Sequence, residues 1–228
     1  MKDFSQRLIA WQQQHGRHHL PWQVDDAYRV WLSEIMLQQT QVTTVIDYYG
    51  RFLQYFPSLA DLAQAPLDDV LAQWSGLGYY SRARNLHACA QAVVRDFDGQ
   101  FPVDPELIAS LPGIGRSTAA AISAFSYGTR AAILDGNVKR VLTRWAGIAG
   151  VPSVKAVENQ LWQLAETLLP ESGLGAAAIK AHTQGLMDLG ATICTPKNPS
   201  CLVCPLASDC QARIFSRQAE LPTKKPKK

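Results

Sequence analysis

The chain has 228 residues, 47% hydrophobic and 18% charged, which excludes general disorder and provides a sizeable core for one large domain or two small ones. Its net charge is +3, but without the four lysines of the terminal KKPKK the remainder carries −1. The opening MKDFSQ lacks the apolar run of a signal peptide, and AAAISAF (119–125) is too short to span a bilayer, so the sequence reads as a soluble, cytoplasmic protein with no membrane partner.

Helical spacing then recurs along the chain. In Val30-Trp-Leu-Ser-Glu34-Ile-Met-Leu-Gln38-Gln39, a helix places Glu34 beside Val30, Trp31, Leu37 and Gln38. A carboxyl among apolar side chains keeps its proton more readily, as a general acid must. The plainer reading is a glutamate at the edge of an apolar stripe. Val42, Val45, Ile46, Tyr49, Phe52, Leu53 and Phe56 predict the next helix, with Thr40 as its N-cap. Ser58 and Asp61 form a capping box, and Pro66 followed by Asp68 and Asp69 opens a further helix. Leu86, Ala90, Val93, Val94 and Phe97 make another stripe, and Cys89 within it is assigned to the core.

Asp104-Pro105 starts a short helix, and Leu111-Pro-Gly-Ile-Gly115-Arg-Ser joins it to a helix over residues 117–127. A Gly-x-Gly hairpin at a helix N-terminus lets a phosphate reach backbone N–H groups, which assigns Gly113 and Gly115 to a DNA backbone; a lone hairpin corner would need no such role. Asp135 predicts the cap of a helix striped by Val138, Val141, Leu142 and Trp145. A capping carboxylate is also a fixed negative charge able to stabilise a developing cation. Leu161, Leu164, Ala165 and Leu168 form the last stripe. No period-2 alternation is sustained, so the expected fold is all-α.

Positive charge clusters locally: Arg82, Arg84 and Arg95 in one stretch, and Arg116, Arg130, Lys139, Arg140 and Arg144 around Asp135 in another. Basic surface on a near-neutral body suits a polyanion. Four of the five cysteines fall in Cys194-x6-Cys201-x2-Cys204-x5-Cys210. Four thiols this close in a chain without a secretory signal read as a metal site. The single CxxC and uneven spacers favour a [4Fe-4S] cluster, with four-cysteine zinc the alternative.

WLSEIMLQQTQV (31–42), GLGYYSRARNLH (76–87), LPGIGRSTA (111–119), LDGNVKRVL (134–142) and the cysteine loop together resemble, in the same order, the adenine DNA glycosylases of the MutY type. That family belongs to the helix-hairpin-helix superfamily that includes endonuclease III. The resemblance implies a six-helix barrel over 23–130, an iron–sulfur lobe from 1–22 with 131–213, and a linker or tail over 214–228. It implies one [4Fe-4S] cluster on Cys194, Cys201, Cys204 and Cys210. It also implies a monomer acting on double-stranded DNA with A:8-oxoguanine or A:G mispairs, from which a flipped adenine is hydrolysed. Glu34 would protonate adenine N7 and later help activate water, while Asp135 would stabilise the oxocarbenium-like sugar. Gln38, Gln39 and Tyr79 would enter the base stack, with Arg82 beside them at the DNA. Trp22 and Gln184 would border the adenine pocket, and Lys139, Asn137 and Ser117 would support the site. Relatives usually continue into a domain that reads 8-oxoguanine, so the chain is expected to be a catalytic domain without it. Two rivals stand beside this reading: a bifunctional endonuclease III-like glycosylase/lyase, disfavoured by Ser117 where that chemistry carries a lysine, and a non-catalytic DNA-binding module, which has no use for both carboxylates.

Overall fold

The computed structural model describes residues 2–225 and is helical throughout, with no strand among them. Its chain divides into two compact units, His18–Thr129 and the discontinuous pair Met1–Arg17 with Arg130–Lys228. Helix α1 (Lys2–His15) belongs to the discontinuous unit. Helices α2 (Ala27–Leu37), α3 (Val42–Tyr55), α4 (Leu59–Gln64), α5 (Leu67–Trp74), α6 (Tyr80–Asp96), α7 (Pro105–Ala109) and α8 (Arg116–Tyr127) build the continuous one.

The continuous unit is organised around α2. Asp26 caps it by accepting from the Arg29 N–H at 2.8 Å. Tyr28, Val30, Trp31, Leu32, Ser33, Ile35 and Met36 are all buried, so the helix is apolar on nearly every face and packs against α3, α6 and α8. Trp31, Leu32 and Met36 are fully enclosed, which at about 1.5–3 kcal/mol per large apolar side chain anchors this helix more firmly than any cap. The Ser58–Asp61 capping box is present in both directions. α8 ends at Gly128 in the left-handed conformation.

Three local expectations are corrected. α3 begins after Gln41, not Thr40, because the Thr40 hydroxyl is engaged by Arg82 at 3.2 Å. Ile46 of α3 and Val94 of α6 are exposed, each one residue past a buried position (Val45, Val93) and therefore rotated off the packed face. The basic stretch around Arg82 is not uniformly a surface, since Arg82 is buried, while Arg95 remains exposed and pairs with Asp96 at 2.7 Å.

In the discontinuous unit, α9 (Gly136–Ala146) is the hub. It contacts α10 (Lys155–Thr167), α11 (Gly175–Asp188), a π-helical turn (Leu189–Ile193) and α12 (Gln211–Ile214), while α1 lies along α11. Phe4 of α1 meets Trp145 of α9 edge-on at 4.8 Å. The segment expected as a tail from 214 is drawn into the fold at least to Leu221, which is buried and whose carbonyl accepts from Arg144 Nε at 2.8 Å. Residues 226–228 of that expected tail lie outside the described residues. No helix among the described residues is long and apolar enough to cross a membrane.

Helices also approach tightly at Gly190, where an added Cβ would lie 2.6 Å from the Asn137 Cβ and 3.2 Å from its backbone. Gly190→Ala is expected to lower stability by about 1–3 kcal/mol through overpacking. Chemical denaturation would read the loss, and an unchanged midpoint would show that the helices yield there freely.

Candidate functional site

In the continuous unit the end of α2 and the loop before α6 form one wall. Glu34 is half-buried on α2, directly after Ser33, whose hydroxyl donates to the Val30 carbonyl at 2.7 Å. Past the helix end, Gln39 is left-handed at φ 58°, and Tyr79, the N-cap residue of α6, is left-handed at φ 50°. Non-glycine residues there are strained, and such strain gathers at functional sites. Tyr79 is also 58% exposed, an aromatic ring offered to solvent.

Between these two strained residues lies the Arg82 guanidinium. Its Nη1 donates to the carbonyls of Ile35 (3.0 Å), Met36 (2.9 Å) and Gln38 (2.6 Å). Its Nη2 donates to Thr40 Oγ1 (3.2 Å) and to the carbonyls of Leu77 (3.2 Å) and Gly78 (3.3 Å). The expectation that Arg82 meets DNA directly is therefore corrected: both of its Nη groups are committed to the protein, its Nε is buried, and the residue is only 8% exposed. Burial without an acidic partner lowers its pKa.

Arg82, Gln38, Gln39, Tyr79, Ser81 and Asn85 are the polar lining of a cavity of about 260 Å³ that also reaches Gly113 of the hairpin. Gly113 is left-handed at φ 74° and lies so close to Asn85 that a Cβ would stand 2.6 Å from the Asn85 Cβ. The hairpin glycine thus has a steric reason in this fold beyond any contact with phosphate. Gly115 is exposed and is the N-cap of α8, bringing no side chain to that helix end; Ser117 is half-buried in the first turn. Trp22 is buried in the core with its ring 5.5 Å from Tyr49, which accounts for it by packing alone.

In the discontinuous unit Asp135 caps α9, accepting from the Val138 N–H at 2.7 Å. Burial pushes its carboxyl pKa up, against the opposing pull of the Val138 and Asn137 N–H groups and of Arg140 and Lys139. Lys139 itself is held by Glu158 at 2.7 Å, so its ammonium is engaged in an ion pair. Arg140 donates to Asn137 Oδ1, to the Gly190 carbonyl and to the Cys194 carbonyl, each at 2.7 Å. Gln184 is buried on α11 and donates to Asp188 at 2.8 Å. Asp188, 1% exposed, takes a further 2.7 Å ion pair from Arg17. Arg17 and Asp188 were missed in the sequence, because residues 171 apart leave no local signal.

The four loop cysteines line a single small cavity with Ile193, Pro199, Ala207 and Ala212. Each is half-buried, and the thiol of Cys204 is pushed up to about 11 by burial and by the other three cysteines. Four thiols acting on one another around an apolar hole are a donor set for a cationic centre, which alone would hold them ionised. Arg144, 3% exposed, fixes the loop by donating to the Thr195 carbonyl (2.7 Å), the Pro196 carbonyl (3.2 Å) and Cys194 Sγ (3.5 Å). The four thiols share that cavity without forming a finished ligand cage: among the described residues no group of three or more His, Cys, Asp or Glu side chains stands in ligating positions for a metal ion. Cys89 is fully buried in α6, away from this loop in sequence, and burial raises its thiol pKa to about 12.

Residues 32–167 match the HhH-GPD superfamily of base excision DNA repair proteins, and residues 194–210 match the iron–sulfur binding domain of endonuclease III. The chain is 46% identical over 226 residues to an adenine DNA glycosylase of Buchnera aphidicola from Schizaphis graminum, a match over 99% of the chain and 64% of that relative. It is 36% identical to an adenine DNA glycosylase of Mycolicibacterium smegmatis, over 90% of the chain and 68% of the relative. Among solved structures, a thermostable thymine-DNA glycosylase matches with a TM-score of 0.81 at 29% identity, over 94% of the chain and 96% of that structure. The chain thus spans less than two thirds of the length of the Buchnera relative.

The raised Asp135 pKa has a thermodynamic consequence. A carboxyl whose folded pKa exceeds its unfolded one disfavours folding while ionised, and that penalty fades as pH falls through the folded value. Asparagine caps as well as aspartate and carries no charge. Asp135→Asn is therefore expected to melt higher than the parent at neutral pH, with the gap closing toward the ordinary carboxylate range. A gap that widens on acidification would contradict it.

Proposed function

Because the chain belongs to the HhH-GPD superfamily of base excision DNA repair proteins, on the branch of the adenine DNA glycosylases, we propose that it removes adenine from duplex DNA where adenine stands opposite 8-oxoguanine or guanine, acting as a cytoplasmic monomer. The observation that carries this reading is the match to adenine DNA glycosylases over nearly the whole chain.

In the proposed reaction Glu34 gives its proton to N7 of an extruded adenine, and the electron pair of the C1′–N9 bond leaves with the base. Asp135 is held by its own helix cap, so its negative charge needs no reorganisation to oppose the positive charge developing on the sugar. Water adds to C1′ and yields its proton to the Glu34 carboxylate, restoring the acid, and the product is an abasic site with the strand uncut. Tyr79, Gln38 and Gln39 engage the base stack, and the exposed ring of Tyr79 supplies the stacking face. Gly113, Gly115 and the first turn of α8 face the DNA backbone. The cysteine loop holds one [4Fe-4S] cluster, with one thiolate from each of Cys194, Cys201, Cys204 and Cys210. When bound, that cluster cross-links the loop through iron–thiolate bonds.

Glu34→Gln is expected to lower single-turnover adenine release from an A:8-oxoguanine duplex by about two to four decades while duplex binding persists. The same gel should show intact strands until alkali is added. Activity within tenfold of the parent would remove Glu34 from the acid's role. Protein purified without oxygen is expected to be brown, with iron and sulfide near four each per chain. Stoichiometric zinc without iron would refute the cluster.

A further inference from the structure

We infer that Arg82 is a positioning residue: it does not touch the DNA but sets the strained conformations of Gln39 and Tyr79, and through Tyr79 governs how tightly a mispair is preferred. This rests on the reading of that wall as the DNA-facing one.

Two chain segments far apart in sequence converge on this guanidinium. One is the end of α2 with the following turn, which presents the Ile35, Met36 and Gln38 carbonyls and the Thr40 hydroxyl. The other is the loop before α6, which presents the Leu77 and Gly78 carbonyls. Backbone carbonyls crowded together repel, so neither segment holds this shape beside the other without a cation between them. The loop runs through left-handed Gly76 (φ 96°), Gly78 (φ 72°) and Tyr79, which turns its carbonyls inward. No carboxylate is among the six acceptors.

The reach of Arg82 extends to the Tyr79 ring itself, whose centroid lies 5.4 Å from the guanidinium carbon. Trp74 stands at the same 5.4 Å, and its indole N–H donates to the Gly78 carbonyl at 3.1 Å. The exposed ring is therefore fixed from behind by a buried cation. A lysine offers one compact ammonium with three donors, against the planar fork that serves both segments here. It would leave carbonyls of one segment unmatched.

The test uses the full chain and needs no turnover. Hydrogen exchange should become at least tenfold faster in Arg82→Lys at amides of residues 38–40 and 77–80, with the rest of the protein protected as before. Unchanged exchange in either segment would overturn the inference, whatever the protein binds. Binding is then measured to duplexes in which 2′-fluoro-2′-deoxyadenosine, which resists hydrolysis, faces 8-oxoguanine or thymine. Arg82→Lys should reduce the parent's preference for the mispair at least tenfold. Combined with Tyr79→Ala, it should lower the preference no further than Tyr79→Ala alone, within twofold. A multiplicative loss would show that Arg82 acts by another route and overturn the assignment. A parent with no preference would sink the repair reading, and exchange would still decide the role of Arg82. Should Arg82→Lys fail to fold, Thr40→Val removes one acceptor and should shift both readouts in the same direction by a smaller factor; no shift in either would overturn the inference.

Discussion

Buried guanidinium groups gathering backbone carbonyls are the interaction on which both units depend. Helix ends and irregular loops leave carbonyls without intrahelical partners, and an all-α protein built from short helices has many of them. Arg82 collects those at the end of α2, and Arg144 collects those of the cysteine loop together with Leu221. Neither arginine draws on a carboxylate for these bonds. A planar cation with a fixed fork suits this work, because it joins segments by geometry as well as by charge. Removing one strands several carbonyls at once, each with its own desolvation penalty. The irregular segments that carry exposed or functional side chains are thus built as rigidly as the helices.

The two candidate carboxylates share a design. Each sits on or at the start of a helix packed on several sides, α2 against α3, α6 and α8 for Glu34, and α9 against α10, α11, α12 and the π-helical turn for Asp135. A group borne on a well-anchored helix cannot drift away from its charge-stabilising geometry, which is what electrostatic preorganisation requires. At Asp135 that anchoring opposes stability: burial raises its pKa even though two N–H groups and two cations support its charge. The cap alone would be served as well by a neutral residue. Retaining an ionisable one there is a cost of the kind that functional sites carry.

How much of this was legible in the sequence follows from how local each signal is. The capping box at Ser58, the Asp135 cap and the helices on either side of the Gly113–Gly115 hairpin were all readable, because each depends on residues three or four apart. The cysteine loop was readable because its four thiols crowd into one short stretch, Cys194 to Cys210. Arg82, Arg140 and Arg144 were misread as part of a basic surface, since a run of arginines looks the same whether it faces phosphate or backbone carbonyls. Thr40 was misread as a cap because its competitor for that hydroxyl lies 42 residues away. The pairing of Asp188 with Arg17 and the π-helical turn after α11 had no sequence signature; only the folded chain brings Arg17 to the Asp188 carboxylate, 171 residues away.

The side chains also bear on where the proposed reaction stops. Cutting the strand after base loss requires an amine that attacks the sugar carbon and forms an imine. Position 117, in the first turn of the hairpin's second helix, carries a hydroxyl instead. The nearest lysine by motif, Lys139, is turned into a 2.7 Å ion pair with Glu158 on a neighbouring helix. To serve as a nucleophile its nitrogen would first have to leave that carboxylate. Water has no such obstacle, and with Asp135 stabilising the cationic sugar it is the nucleophile the proposed site provides. Hydrolysis to an abasic site is therefore the chemistry these residues favour over elimination.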